Sequence, residues 1–567
     1  MHFLLAPFET RNLPLTLSMA MTVVCAVAFA IWPEFALFIA VPFVVFAGLS
    51  LLGLRDVMQA RHAILRNYPI LAHLRFISEK IRPEMRQYFF EGEKDGLPFS
   101  RDKRAIVYQR AKKQLDKRPF GTQYEVYQDS FEWVTHSMAP KSVNDEPLRI
   151  EVGGPDCKQP YSSSLLNISG MSFGALSPNA VRALNKGAKI GGFSHTTGEG
   201  SVSEYHTMHG GDLVWQIGSG YFGCRDEHGQ FCPDKFAEVA QLDQVKMIEI
   251  KMSQGAKPGH GGVLPKAKIN AEIARARGIP RDRDCVSPAF HSAFSTPMEM
   301  MLFIARLRHL SGGKPVGFKF CVGHPWEFMS IVKAMLATGV TPDFIVVDGK
   351  EGGTGAAPLE FADHVGMPLR DGLSFVHNTL VGAGVRDRIK LGASGKIISG
   401  FDMARVMALG ADYCNAARGF MFAVGCIQAQ TCHTGKCPVG VTTQDPSRWR
   451  AIVVRDKAKR VANFHKATVE ALAELVAAAG LSRPGDLAPE HLYRRVSQQE
   501  YVTFAQLYPS LKEGELLSGS NDKRFQDPWM AASAETFQYL PSRRDGGEKT
   551  RIFEQMPPSG LSSEAIQ

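Results

Sequence analysis

Three thiols stand close together in this chain. Cys426, Cys432 and Cys437 form a C-x5-C-x4-C run, with Pro438 directly after the last. Cysteines at such spacing, in a chain without a secreted disulfide framework, point to metal. Three thiolates followed by proline suit an iron–sulfur cluster. A closed zinc site wants four ligands, and His433 could supply one. Buried cysteines that bind nothing are the third reading. A second set of chemistry-bearing residues lies upstream: Gly170 to Gly174, Thr197 to Gly200 with Glu199 among them, and Lys251, Gln254, Lys257 and Lys319. Gly352 to Gly355, Ser394-Gly395 and Arg418-Gly419 complete it. Glycine-rich loops expose backbone N–H groups that take a phosphate, and an arginine can add a bidentate contact.

The elements that must position these residues are legible as alternation. From residue 165 short apolar runs alternate with helical patterns, the signature of parallel β/α architecture. The runs predict strands at 164–169, 188–193, 213–217, 246–251, 315–320, 343–348, 389–393 and 412–416, with an insertion at roughly 260–295. Eight strands predict a (β/α)8 TIM barrel, whose chemistry sits at the C-terminal ends of the strands. Every loop named above follows one of these runs. Ser394-Gly395 and Arg418-Gly419 follow the seventh and eighth, the usual phosphate position of such a barrel. Ser177 and Pro178 read as the N-cap and first residue of a helix. A Rossmann-type nicotinamide-binding domain is not expected within this chain.

Four stretches together carry a resemblance: G-M-S-F-G-A-L-S at 170–177, Q-G-A-K-P-G-H-G-G at 254–262, D-G-K-E-G-G-T-G-A-A-P at 348–358, and the cysteine segment at 425–440. In this order they resemble the FMN-binding synthase domain of the glutamate synthase large subunit, over roughly residues 145–445. The resemblance implies FMN and a 3Fe–4S cluster on Cys426, Cys432 and Cys437. It implies that Met171, Ser172 and Phe173 lie along the flavin, with Gln254 and Lys319 near its polar edge. Gly353, Thr354, Ser394, Gly395, Arg418 and Gly419 would hold ring, ribityl chain and phosphate. A cation near the flavin's N1–O2 edge stabilises the reduced anion. Lys257, Gln254 and Glu199 would be catalytic, and Lys257, Arg277 and Ser172 would bind the oxo acid. His195, His206, His209, His260 and His291 near the expected mouth read as hydrogen-bonded scaffolding.

Outside the barrel, Leu13–Trp32 and Phe35–Leu54 hold no charged residue, and only Pro33 and Glu34 separate them. Each is long enough to span a bilayer core. A transmembrane helical hairpin over 1–55 is the expectation. Arg11 and the arginines after the second span put both ends in the cytoplasm. The expected location is the inner (cytoplasmic) membrane, two-pass, with the catalytic domain cytoplasmic. The net charge of +9 is concentrated at 55–118, where sixteen Lys/Arg face eight Asp/Glu. Beside a hairpin, such a block favours membrane lipid and disfavours nucleic acid. The organisation expected is hairpin 1–55, basic juxtamembrane spacer 56–145, barrel 146–445 with the Fe–S segment at 425–440, and a helical C-terminal extension over 446–567. That extension opens with a helix at 456–479 and ends in a mobile tail beyond about 541.

The function expected is a membrane-anchored oxidoreductase of glutamate-synthase type, reductively aminating 2-oxoglutarate or a related 2-oxo acid. The alternatives are a transferase making an N-substituted glutamate from glutamate and an amine, and a redox relay. Full glutamate synthases carry a glutaminase domain where this chain has its hairpin. Ammonia, another amine or a partner amidotransferase is therefore expected to supply nitrogen, and a protein or membrane donor the electrons. A homo-oligomer is one expected assembly. The family pattern breaks at His260 (an acid in the family), Val263 (an amide) and Asn179 (a glutamate), so altered use of 2-oxoglutarate is expected.

Overall fold

The computed structural model describes residues 9–59, 62–143, 148–259, 261–264 and 266–541. His260 and the tail beyond 541 lie outside them. The chain divides into two compact units, Met1–Asp102 and Lys103–Gln567, so the basic stretch is shared between them.

In the first unit, α1 (Leu13–Ile31) and α2 (Ala36–Met58) are joined by a single turn at Pro33–Phe35. Both helices are long and apolar enough to cross a membrane. The 19 residues of α1 extend about 28 Å at 1.5 Å per residue. The two helices pack on each other, with Thr22 and Ser50 sharing a hydrogen bond of 3.2 Å between them. After the short helix Ala63–Asn67, the longer helix α3 (Leu71–Met85) follows the hairpin.

In the second unit eight parallel strands close a barrel in chain order: β1 (Leu166–Ile168), β2 (His195–Thr196), β3 (Leu213–Ile217), β4 (Val245–Lys251), β5 (Val316–Phe320), β6 (Phe344–Asp348), β7 (Lys390–Ser394) and β8 (Tyr413–Ala416). Closure runs through Cys414 opposite Leu166. Strands buried on both faces read as continuous apolar runs, which is why β3 to β6 are visible in the sequence.

The expected strand at 188–193 is a correction. Ser177 caps a helix whose first residue is Pro178 and which runs to Gly191, ended by Gly192 in the left-handed region. Ala188 to Gly191 are its last turn, and the second strand is the short polar pair that follows. The insertion between β4 and β5 is a small antiparallel ribbon, Val263–Leu264 against Cys285–Val286, enclosing the helix Ala271–Arg277. The helix expected at 456–479 runs over Val454–Ala478 and packs against Pro178–Gly191. Their approach is close: a Cβ on Gly187 would meet the Val461 side chain at 2.4 Å.

The extension is not purely helical. Leu492–Arg495 and Tyr501–Thr503 form an antiparallel sheet with Glu132–Val134, which the sequence does not predict. Trp133 stacks on Tyr493, and Glu132 accepts from Arg370 and Arg405.

A buried ion pair closes the N-terminal end of the barrel. Asp343 is fully buried and accepts from Arg308 Nε at 3.0 Å and from the amides of Val316 and Gly154 at 2.7 Å each. Removing one partner strands the other charge. Asp343→Ala is expected to destabilise the barrel by about 3–5 kcal/mol, measured by denaturant unfolding. A loss within the range of a surface substitution would show that the pair is not essential.

Candidate active site

The loops at the C-terminal ends of the strands enclose a cavity of about 270 Å³. β1 delivers Gly170, Met171 and Ser172; β3 delivers Gln216; β4 delivers Lys251, Gln254 and Lys257; β5 delivers Lys319; β6 delivers Gly353 and Thr354; β8 delivers Arg418. The loop after β2 adds Glu199, and the insertion adds Lys268 and Arg277. Six of the lining side chains are Lys or Arg, against the single carboxylate of Glu199 among the described residues. Such a surface favours an anionic occupant.

The loop after β2 can reach the first strand only because of Gly198. It has φ +70°, and a Cβ there would meet the Ser172 amide nitrogen at 2.4 Å. Glu199 is thereby brought to Lys251, whose Nζ donates at 2.9 Å. Gly262 gives similar clearance, since a Cβ there would lie 2.3 Å from the Glu199 carboxylate. Burial pushes the Glu199 carboxyl up, but Lys251, Arg277 and Lys257 overcome it and hold it at about 2. A folded value below the ordinary 4.5 contributes stability that is complete above that pH and lost as pH falls through about 2. The contribution is at most about 3 kcal/mol at neutral pH. Lys251→Met removes the principal partner and is expected to move acid unfolding to higher pH, read from intrinsic fluorescence. An unmoved midpoint would remove the pair from the acid-stability account.

Arg277 ends the insertion helix, which Asn270 caps through the Ile273 amide. Its Nη2 donates to Ser172 Oγ at 3.3 Å and to the Phe173 carbonyl at 3.2 Å. Its Nε is buried with no hydrogen-bond partner among the described residues. Lys257 is 6% exposed, donates to the Gly261 carbonyl at 3.3 Å, and has its ammonium pKa lowered by burial. Lys319 lies 4.0 Å from Asp348, whose carboxylate also accepts from the Gly255 amide at 3.0 Å. Arg418 donates to the Thr354 carbonyl at 2.7 Å, joining the last strand's loop to that of β6.

Some expected residues do not line this cavity. The Phe173 ring is fully buried against Tyr205, with centroids 4.9 Å apart. Ser394 and Gly395 stand behind the wall, where a Cβ on Gly395 would touch Leu369. Gly419 packs under Phe464. Asn179 donates to the Ile452 carbonyl at 3.1 Å and so tethers its helix instead of facing the cavity. His291 is held by Tyr221 and the Lys251 carbonyl, and His206 by Ser203, as scaffolding. The backbone of Val263 lies in the insertion ribbon.

Cys426, Cys432 and Cys437 line one small neighbouring cavity, and Cys432 lines the large one as well. Burial pushes the Cys426 thiol up to about 11. It also pushes Cys437 up, but the Thr442 amide and hydroxyl and the amides of Val439 and Val441 more than compensate and hold that thiol below its ordinary range. Among the described residues no group of three His, Cys, Asp or Glu is close enough to hold a metal ion. Lys268 connects the two cavities by donating to the Cys432 carbonyl at 2.8 Å. Sequence reasoning misses Lys268 and Gln216, because neither sits in a motif; the position of Gln216 on a barrel strand is the only available signal.

A family model for the conserved region in glutamate synthase matches residues 135–482. The chain belongs to the glutamate synthase family. That family is one of oxidoreductases, and its matched region contains the whole barrel. The chain is 38% identical to the glutamate synthase large subunit-like protein YerD of Bacillus subtilis, over 81% of this chain and 94% of that one. It is 34% identical to the archaeal glutamate synthase (NADPH) of Methanocaldococcus jannaschii, over 62% of this chain and 65% of that one. A glutamate synthase large subunit-like protein of Rhizobium meliloti is 30% identical, over 60% and 78% respectively. The glutamate synthase match ends at 482, before the last two strands of the peripheral sheet.

Proposed function

We propose that this member of the glutamate synthase family is a membrane-anchored FMN and iron–sulfur oxidoreductase that reductively aminates 2-oxoglutarate or a related 2-oxo acid. The observation that carries this reading is the cavity wall itself, six cations and one carboxylate converging at the mouth of a TIM barrel of this family. A buried donor left without an acceptor is costly, and the Nε of Arg277, which has none among the described residues, favours an acceptor such as an anionic ligand there. Lys257 and Arg277 would take the carboxylates of the oxo acid. Glu199, kept anionic by its three cations, would face the cationic amine.

The lining residues suit FMN. Gly353, Thr354 and Arg418 offer backbone groups and a guanidinium to its phosphate and ribityl chain. Met171 and Ser172 would lie along the ring, with Gln254 and Lys319 at its polar edge. When bound, FMN supplies the hydride chemistry that side chains cannot. Lys319 would stabilise negative charge at that edge. The three cysteines share one cavity, with Cys432 at the boundary to the larger one; they do not converge on a single ion, and a 3Fe–4S cluster would ask each thiolate to hold a separate iron. The hairpin would anchor the protein in the membrane.

The test is turnover. Anaerobically reduced protein is expected to convert 2-oxoglutarate and ammonium to glutamate with a reduced dye, followed by amino-acid chromatography. Val263 stands where the family has an amide, which favours a second reading in which a substituted amine is used in place of ammonium. Val263→Gln would then raise ammonium-dependent turnover. Failure with every 2-oxo acid and amine would remove both readings.

A further inference from the structure

The helix α3 exposes an apolar stripe that no described residue of its own unit covers. Leu74, Ile77, Ile81 and Met85 are 62%, 56%, 49% and 39% exposed. At about 100° per residue they fall within one sector of about 80°. The chain continues through the wide turn Arg86–Phe90, where Phe89 and Phe90 are 73% and 75% exposed. One flank is basic: Arg75, Arg82 and Arg86 border that side of the stripe, while Lys80 and Glu84 stand on the other. A stripe this exposed, in a helix with a basic border, is the pattern of a helix that lies in a membrane interface.

A second observation fixes where the helix sits. Asp56, in the last turn of α2, is 1% exposed. Its carboxylate accepts from the Ile70 amide at 3.1 Å and contacts His73 Nε2 at 2.8 Å. Both partners belong to the start of α3. The amphipathic helix is therefore pinned to the exit of the second apolar helix, at the level where a bilayer's headgroups would lie.

We propose that α3 and the turn after it form an interfacial element, with the stripe embedded at the headgroup–acyl boundary of an anionic leaflet and the arginines and Lys80 on its phosphates. This rests on the hairpin being a membrane anchor. It goes further by assigning to the membrane a segment too polar to span it. Lipid is the occupant that supplies both an apolar layer and negative charge beside the same hairpin.

Full-length protein in vesicles of phosphatidylcholine and phosphatidylserine tests this. Ile77→Trp and Phe89→Trp, read against the wild-type background, are expected to lose emission when the lipid is brominated near the headgroup end of its chains, and less when it is brominated near the chain terminus. Glu79→Trp, on the opposite face, is expected to lose none. Pure phosphatidylcholine should weaken the effect. If the protein stays with the vesicles through carbonate washing while Ile77→Trp and Phe89→Trp are unquenched, the interfacial assignment is overturned and the anchor stands. A shielded but unquenched Ile77→Trp would give the face to a second copy or another protein, and would overturn the interfacial assignment in the same way. Release by carbonate would overturn the anchor and this proposal together.

Discussion

Lys257→Ala is expected to reduce kcat/KM for the 2-oxo acid by about 30-fold to several thousand-fold, the equivalent of about 2–5 kcal/mol for truncating one partner of a buried charge pair. Flavin should remain bound, because Lys257 reaches the cavity from the β4 loop while Arg418, Gly353 and Thr354 approach from β6 and β8. Lys257 is 6% exposed and the acceptor of its ammonium among the described residues is the Gly261 carbonyl, so the group is held ready for an anion. Steady-state kinetics with the flavin-to-protein ratio measured in parallel checks this. Unchanged kcat/KM would place the substrate carboxylate elsewhere, with Arg277 the next candidate. Loss of flavin would instead make Lys257 part of the cofactor site.

Cys432→Ser is expected to abolish bound iron, from about three atoms per chain if three thiolates hold a three-iron cluster. Most of the flavin should be retained. Metal analysis of anaerobically purified protein reads the result. Zinc at one atom per chain with no iron would falsify the cluster. The flavin arm of the test has a geometric basis: Cys432 borders the large cavity, whereas Cys426 and Cys437 border only the small one. A limited disturbance of flavin in Cys432→Ser, absent from Cys437→Ser, is the expected difference.

Much of the site can be read because chemistry and position coincide. Glycine-rich loops and cations follow apolar runs, and the fold puts such loops at one mouth. Where the two come apart, the sequence misleads. Ala188, Ile190 and Phe193 read as a short apolar run, yet Ser177 has already committed the chain to a helix whose last turn is Ala188 to Gly191. His195–Thr196, two residues long, leaves no periodic signal. Ser394, Gly395 and Gly419 do not line the cavity; Leu369 packs beside Gly395 and Phe464 beside Gly419. Arg277 is found through the family pattern. Lys268 is not, because its value comes from a carbonyl 164 residues away. The strand Glu132–Val134 is invisible for the same reason: its partner lies some 360 residues downstream, and a pairing that distant has no local signature.

That distant pairing bears on how the protein can be cut. A fragment ending at 482 keeps every residue matched to the family and the entire cavity wall, and would look like the natural minimal enzyme. It would also leave Glu132–Val134 as a bare strand. Trp133 would lose Tyr493 and keep only Phe131 as a stacking partner, and the strand's backbone groups would face solvent. Unpaired edges recruit one another. The short fragment should therefore emerge as soluble aggregates, and restoring residues to Leu540, which returns the peripheral sheet together with Leu511 and Leu516 beside Gly382 and Phe525 on Phe375, should return it to a single species.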